Sequence, residues 1–199
     1  MFTIIIIGIT CLVSVLAMNN PELKLNLIFY PEKIKRTKEW YRFLTSGFIH
    51  ADYTHLAFNM ITLWSLGSQL EATFAAQHKL GNTLYILLYF GSMIIADIPL
   101  YFKQRNNPRY LSLGASGAVL GVVFSFILFY PWAMFYGLIP AFIFGFIYLG
   151  YSYYASKNSM DNIAHDVHFS GAIFGILFTA IFFPSTFFSF TQQLLRIGG

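Results

Sequence analysis

Charge is scarce in this 199-residue chain: Asp, Glu, Lys and Arg make up 10% of it, against roughly a quarter in ordinary soluble domains. Between positions 110 and 156 there is none at all. That stretch excludes an ordinary soluble enzyme; it is too long for one membrane crossing and suits two. So apolar a chain is not intrinsically disordered either. Its one cysteine, Cys11, lies inside an apolar run, so neither a disulfide framework nor a cysteine metal site is available, and it reads as a small buried hydrophobe. No Lys or Arg precedes the first apolar run. A retained first helix is therefore expected there, although Val15-Leu16-Ala17 resembles a signal-peptide cleavage site. What abounds is apolar: 57% of positions are hydrophobic and 20% aromatic, enough for five or six spans of about 20 residues. The net charge of +4 points to interfacial anchoring rather than to nucleic acid, because the basic residues flank apolar segments.

Apolar runs bounded by charge or turn residues give spans near 2–18, 54–75, 82–102, 113–130, 133–154 and 166–184. The expected fold class is all-α: a polytopic bundle of six transmembrane helices forming one membrane domain over 1–199. A transmembrane barrel would need alternating segments of about ten residues, and the runs here are continuous. Helices satisfy their own backbone groups in lipid. Pro131-Trp132 separates the fourth and fifth spans, and Pro140 is expected to bend the fifth. The connection 19–53 mixes charge (Glu32, Lys33, Lys35, Arg36) with apolar residues (Leu27, Phe29, Trp40, Phe43). It reads as an interfacial, partly inserted loop.

Polar groups inside spans are expensive, so each asks for a partner or a purpose. On the second span His55 and Asn59 stand i, i+4 on one face, and Gly67 and Glu71 repeat that spacing. On the fourth, Ser116 sits in Gly114-Ala115-Ser116-Gly117. The sixth opens with Asp161-Asn162-Ile163-Ala164-His165-Asp166-Val167-His168 and then has Gly171 and Gly175 at i+3 and i+7 from His168. Successive helices reverse direction, so spans two, four and six start on the same side. That puts His55, Asn59, Ser116 and His168 at similar depth below one face. Gly117 and Gly121, with Gly171 and Gly175, offer small-xxx-small surfaces that let two backbones approach closely and bring Ser116 to His168. A serine hydroxyl beside a neutral imidazole is an activated nucleophile. The Ser116 amide in the first helical turn, with His55 and Asn59, would supply oxyanion donors. Taken singly these are weak signals, because small residues in membrane helices usually serve packing and a lone histidine usually bonds a neighbouring helix; their coincident depth carries the reading.

These residues resemble a rhomboid intramembrane serine protease from Trp40 to about Gly175. The matching pieces are W-Y-R at 40–42, H-A-D-Y-T-H-L-A-F-N at 50–59, G-S-Q-L-E at 67–71, G-A-S-G at 114–117 and H-F-S-G-A-I-F-G at 168–175. The resemblance implies a six-helix fold with Ser116 as nucleophile, His168 as general base and no catalytic Asp. It implies an oxyanion hole of His55, Asn59 and the Ser116 amide, with no metal and no cofactor. His50 would then hold the top of the second helix, Trp40 and Arg42 would fix the first loop, and Glu71 would bond across helices. The glycines 114, 117, 171 and 175 would support the site by packing. His165 competes for the base role, but only His168 is followed by glycines at i+3 and i+7. Family members usually carry an aromatic residue one turn after the serine, packed on the base, whereas here Leu120 stands there, so a looser base is expected.

Substrates implied by the resemblance are transmembrane proteins cut near the membrane surface, and the lipid bilayer is the other partner. The implied location is a bacterial cytoplasmic membrane, with both termini inside and the active site near the outer face. Every basic residue except Lys79 and Arg196 falls on the active-site side, and positive-inside counting would make that side cytoplasmic. The resemblance is followed because the long first loop is partly embedded and Glu22, Glu32, Glu39 and Asp52 dilute its charge. Two other functions compete. A catalytically inactive rhomboid-like protein that binds membrane clients would not need Ser116, His168, His55 and Asn59 together, and a small transporter would show a substrate-specific ion site.

Overall fold

In the first helix of the computed structural model, α1 (Phe2–Met18), the buried positions are Thr3, Ile6, Thr10, Ser14 and Ala17. Ile4, Ile5, Ile9, Leu12 and Leu16 face outward. This inverts the pattern of a soluble amphipathic helix, whose apolar stripe faces the core; the apolar exterior fits a lipid surround. The structure describes residues 1–135, 137–158 and 164–195 and is mostly helical.

The first connection folds into three short helices, α2 (Pro21–Leu27), α3 (Pro31–Thr37) and α4 (Arg42–Thr45), followed by a 3-10 turn over Ser46–Phe48. Each of the first two begins with proline at its first position, where no N–H is needed. Lys38 closes α3 in the left-handed region at φ 62°. Asp52 caps α5 (Tyr53–Thr62) by accepting a bond from the His55 amide. The helix runs on through a π-helical turn (Leu63–Gly67) into α6 (Ser68–Gln77). Then come α7 (Gly81–Gln104), α8 (Ser116–Phe129), a two-stranded hairpin of β1 (Met134–Phe135) and β2 (Ile139–Pro140), α9 (Ala141–Asn158), α10 (His165–Phe182) and α11 (Pro184–Leu195). Helices α7 and α10 are long and apolar enough to cross a membrane, and α1 and α8 are shorter apolar helices.

Helix α8 sits at the centre. Every residue from Gly117 to Leu128 is buried, as expected of a helix that is apolar all round, and it packs on α10 and α7. A Cβ on Gly171 would lie 2.2 Å from the Gly117 carbonyl oxygen, and one on Gly175 would lie 2.1 Å from that of Gly121. The two backbones therefore touch along both small-xxx-small pairs.

Two expectations are corrected. The fifth span does not begin near 133: the strands Met134–Phe135 and Ile139–Pro140 come first and α9 starts at Ala141. Pro140 ends β2 and bends no helix, because its ring is accommodated just before the first turn. In addition, α11 follows the sixth run where no element was expected, held by the bond from the Trp132 indole to the Gln193 carbonyl at 3.1 Å. Asp161, Asn162 and Ile163, in the segment that opens the sixth span, lie outside the described residues.

Candidate active site

The loop before α8 turns at Gly114, whose φ of +123° is closed to other residues. A Cβ there would also come within 2.8 Å of the His55 ring. The Gly114 amide donates to the Ser46 carbonyl at 3.0 Å. Ser116 is thus the first residue of α8, and its amide belongs to the helical turn whose N–H groups lack intrahelical acceptors. The close contact of α8 with α10 sets the His168 Nε2 2.8 Å from the Ser116 Oγ. His165, one turn earlier on α10, is buried and packs edge-on against Tyr151.

The other face of the His168 ring is held from α9. The Tyr148 hydroxyl lies 3.0 Å from the His168 Nδ1, and the two rings stack with centroids 6.5 Å apart. Tyr148 is itself wedged against Phe124 and Phe144. Leu120 is buried one turn after Ser116, and the aromatic neighbour of His168 comes from α9 instead.

His55, Ser116 and His168 line one cavity of about 390 Å³, together with Gly114, Asp97 and residues of the first connection. Asn59 is buried beneath His55 and donates its amide to the His55 carbonyl at 3.0 Å. In this arrangement its side chain turns back on its own helix. Among the described residues, no group of three or more His, Cys, Asp or Glu could hold a metal ion.

The supporting residues form a frame around this cavity. The His50 Nε2 accepts from the Ala115 amide at 3.3 Å, so its Nδ1 carries the proton and donates to the Ser14 Oγ at 2.8 Å. Ser14 in turn donates to the Phe48 carbonyl at 2.9 Å. This chain ties α1, the first connection and the loop before Ser116 together. Burial and the neighbouring His55 push the His50 pKa down to about 3, which keeps the ring neutral. Arg42 is fully buried and donates to the carbonyls of Leu25 and Ile28 at 2.9 and 2.8 Å, while Glu39 pairs with it at 2.5 Å. Burial raises the Glu39 carboxyl, but hydrogen bonds from Arg42 and Tyr41 outweigh it and hold the pKa down at about 2. Trp40 stays half-exposed and packs on Phe43 and Tyr101. Glu71 reaches the other end of the molecule. It accepts from the Phe2 and Thr3 amides and the Thr3 hydroxyl at 2.7–3.0 Å, capping the start of α1.

Sequence reasoning passed over Tyr148 and Asp97. Nothing local separates Tyr148 from Tyr151, Tyr153 and Tyr154, whereas Asp97, the one charged residue within 82–102, carried a standing signal.

Residues 37–185 match the family model of the Rhomboid domain. The chain is 36% identical over 84 residues to the rhomboid YdcA of Bacillus subtilis and 35% identical over 83 residues to Rhomboid protease GluP of the same organism. It is 28% identical over 108 residues to Rhomboid protease AarA of Providencia stuartii. The matched segments cover 42, 42 and 49% of this chain and 38, 14 and 38% of those proteins, so the chain spans less than half the length of these relatives.

Proposed function

The chain belongs to the rhomboid family of integral membrane proteins, and from that premise we propose that it is an intramembrane serine endopeptidase working through a Ser116–His168 dyad. The observation that carries this reading is the 2.8 Å contact between the Ser116 Oγ and the His168 Nε2, at the mouth of a helix whose N-terminal amides face a cavity.

With Nδ1 protonated and donating to the Tyr148 oxygen, Nε2 is left to accept from Ser116. Ser116 attacks the scissile carbonyl while His168 takes its proton, then passes that proton to the leaving amine. The acyl-enzyme is hydrolysed by water, with His168 again as base. The developing oxyanion is met by the Ser116 amide and the His55 side chain, and by Asn59 once its amide rotates away from the His55 carbonyl. Such donors are each worth about 10²–10³ in kcat. No metal or cofactor is needed for these steps.

Six membrane crossings account for the architecture: α1, the continuous α5–α6 helix, α7, α8, α9 and α10. Helix α8 has 14 residues, about 21 Å at 1.5 Å per residue, against a hydrocarbon core of about 30 Å. With Tyr130 and Trp132 at the far interface, its first residue lies below the near surface, a depth at which transmembrane substrates would be cut. The whole chain forms one membrane domain in this reading, in a bacterial cytoplasmic membrane. The alternative, an inactive client-binding member, leaves the Ser116–His168–Tyr148 alignment without a purpose. The test is cleavage of a single-span substrate in proteoliposomes: wild type cuts it once near the bilayer surface, and Ser116→Ala and His168→Ala do not. Equal cleavage by wild type and Ser116→Ala would assign the activity elsewhere.

A further inference from the structure

Asp97 is buried in the apolar run of α7, at 7% exposure, and its carboxyl has no hydrogen bond or ion pair among the described residues. Helices α7 and α8 meet so closely that a Cβ on Gly117 would sit 2.8 Å from the Ala96 Cβ. Asp97 and Ser116 are the chain neighbours of that pair, and both line the cavity that holds His168. Among the described residues no Lys or Arg lines it; Ile28, Phe29 and Val167 supply apolar wall. An unpaired carboxyl at such depth is costly and marks a ligand or substrate path by default. Among the described residues nothing supplies its partner, and the cavity leaves it open to one brought by a bound substrate.

We propose that Asp97 selects substrates with a lysine or arginine side chain within one residue of the scissile bond, an inference that rests on the proteolytic reading of this site. The cationic head would pair with the Asp97 carboxylate while its methylene stem lies along the apolar wall. Desolvation strengthens such a pair and penalises a neutral isostere, which leaves the carboxyl unpaired.

The test uses the purified full chain in detergent and synthetic substrates that differ at one position beside the scissile bond: arginine against citrulline, lysine against norleucine. Wild type should show kcat/KM about ten-fold or more higher for each cationic member, and the gap should close to within about three-fold in Asp97→Asn. Asp97→Arg should instead favour glutamate over glutamine. Thermal melts establish that each variant is folded. A parallel arm measures binding of the same peptides to Ser116→Ala and to Ser116→Ala/Asp97→Asn, where the cationic preference should be present in the first and lost in the second. Cleavage with no preference for cationic members, or a preference that survives Asp97→Asn, overturns the role of Asp97 and leaves the protease intact. A binding preference without cleavage in wild type retains the cation subsite and overturns the protease.

Discussion

His168 is gripped from both sides, by Ser116 at Nε2 and Tyr148 at Nδ1, and the second grip is the more informative. Because a base works only in the correct tautomer and orientation, Tyr148→Phe should lower kcat about ten-fold while leaving KM within about two-fold. Steady-state kinetics on a transmembrane substrate would check this split; a raised KM with kcat intact would mean that Tyr148 only shapes the substrate path. A second residue-scale consequence concerns pH. The His50 pKa is about 3 in the folded protein and about 6.5 when unfolded. Its contribution to stability is therefore fully present above pH 6.5 and is lost as pH falls from there toward 3, amounting to about 2 kcal/mol by pH 5. Melting temperatures in detergent at pH 7.5 and 5 should fall more for wild type than for His50→Gln, and parallel falls would contradict the buried neutral imidazole. The serine and the histidine were legible in the sequence because glycine spacing marked the faces that meet. Tyr148 was not, since which of four nearby tyrosines faces the base depends on how α9 is rotated, and an apolar run with no polar face does not encode that rotation.

At the scale of elements, the contact between α8 and α10 is what brings Ser116 to His168. Gly171→Ala puts a methyl group 2.2 Å from the Gly117 carbonyl oxygen, so the helices must separate, at a cost of about 1–3 kcal/mol, and the dyad separates with them. Gly150→Ala on α9 meets nothing within 4 Å and should leave stability unchanged or raise it by up to about 1 kcal/mol. Paired melting and cleavage assays test both; if Gly171→Ala is as stable and active as Gly150→Ala, the close approach is not what positions Ser116. The long apolar helices could be read from sequence because length and hydropathy define them. The hairpin at Met134–Pro140 could not, because a charge-free stretch carries no mark of where a turn interrupts it. Helix α11 escaped for the opposite reason: its polar residues, Ser185, Thr186, Ser189, Thr191, Gln192 and Gln193, end the hydropathy signal without ending the helix.

By sequence, every basic residue except Lys79 and Arg196 falls on the side of the candidate site, yet several are held in ion pairs. Lys33 and Arg42 pair with Glu39, Arg36 with Glu32, and Lys103 with Asp166 at 2.6 Å. Positive-inside counting would put that side in the cytoplasm, whereas the proposed rhomboid topology puts it outside with both termini in the cytoplasm. A reporter fused after Gly199 should accordingly read cytoplasmic; a non-cytoplasmic reading would put the candidate site on the inner face. The frame that links the ends of the molecule, Glu71 at the start of α1 and the Ala115–His50–Ser14 chain at its other end, makes α1 part of the support for Ser116, although the match to the family model begins only at residue 37. The most direct test of the central claim is labelling of the purified protein by a fluorophosphonate, read by intact mass and peptide mapping. A single adduct on Ser116, absent from Ser116→Ala and His168→Ala and retained in His165→Ala, is the predicted result. A folded wild-type protein that takes no label, or takes it at another residue, would contradict the Ser116–His168 dyad.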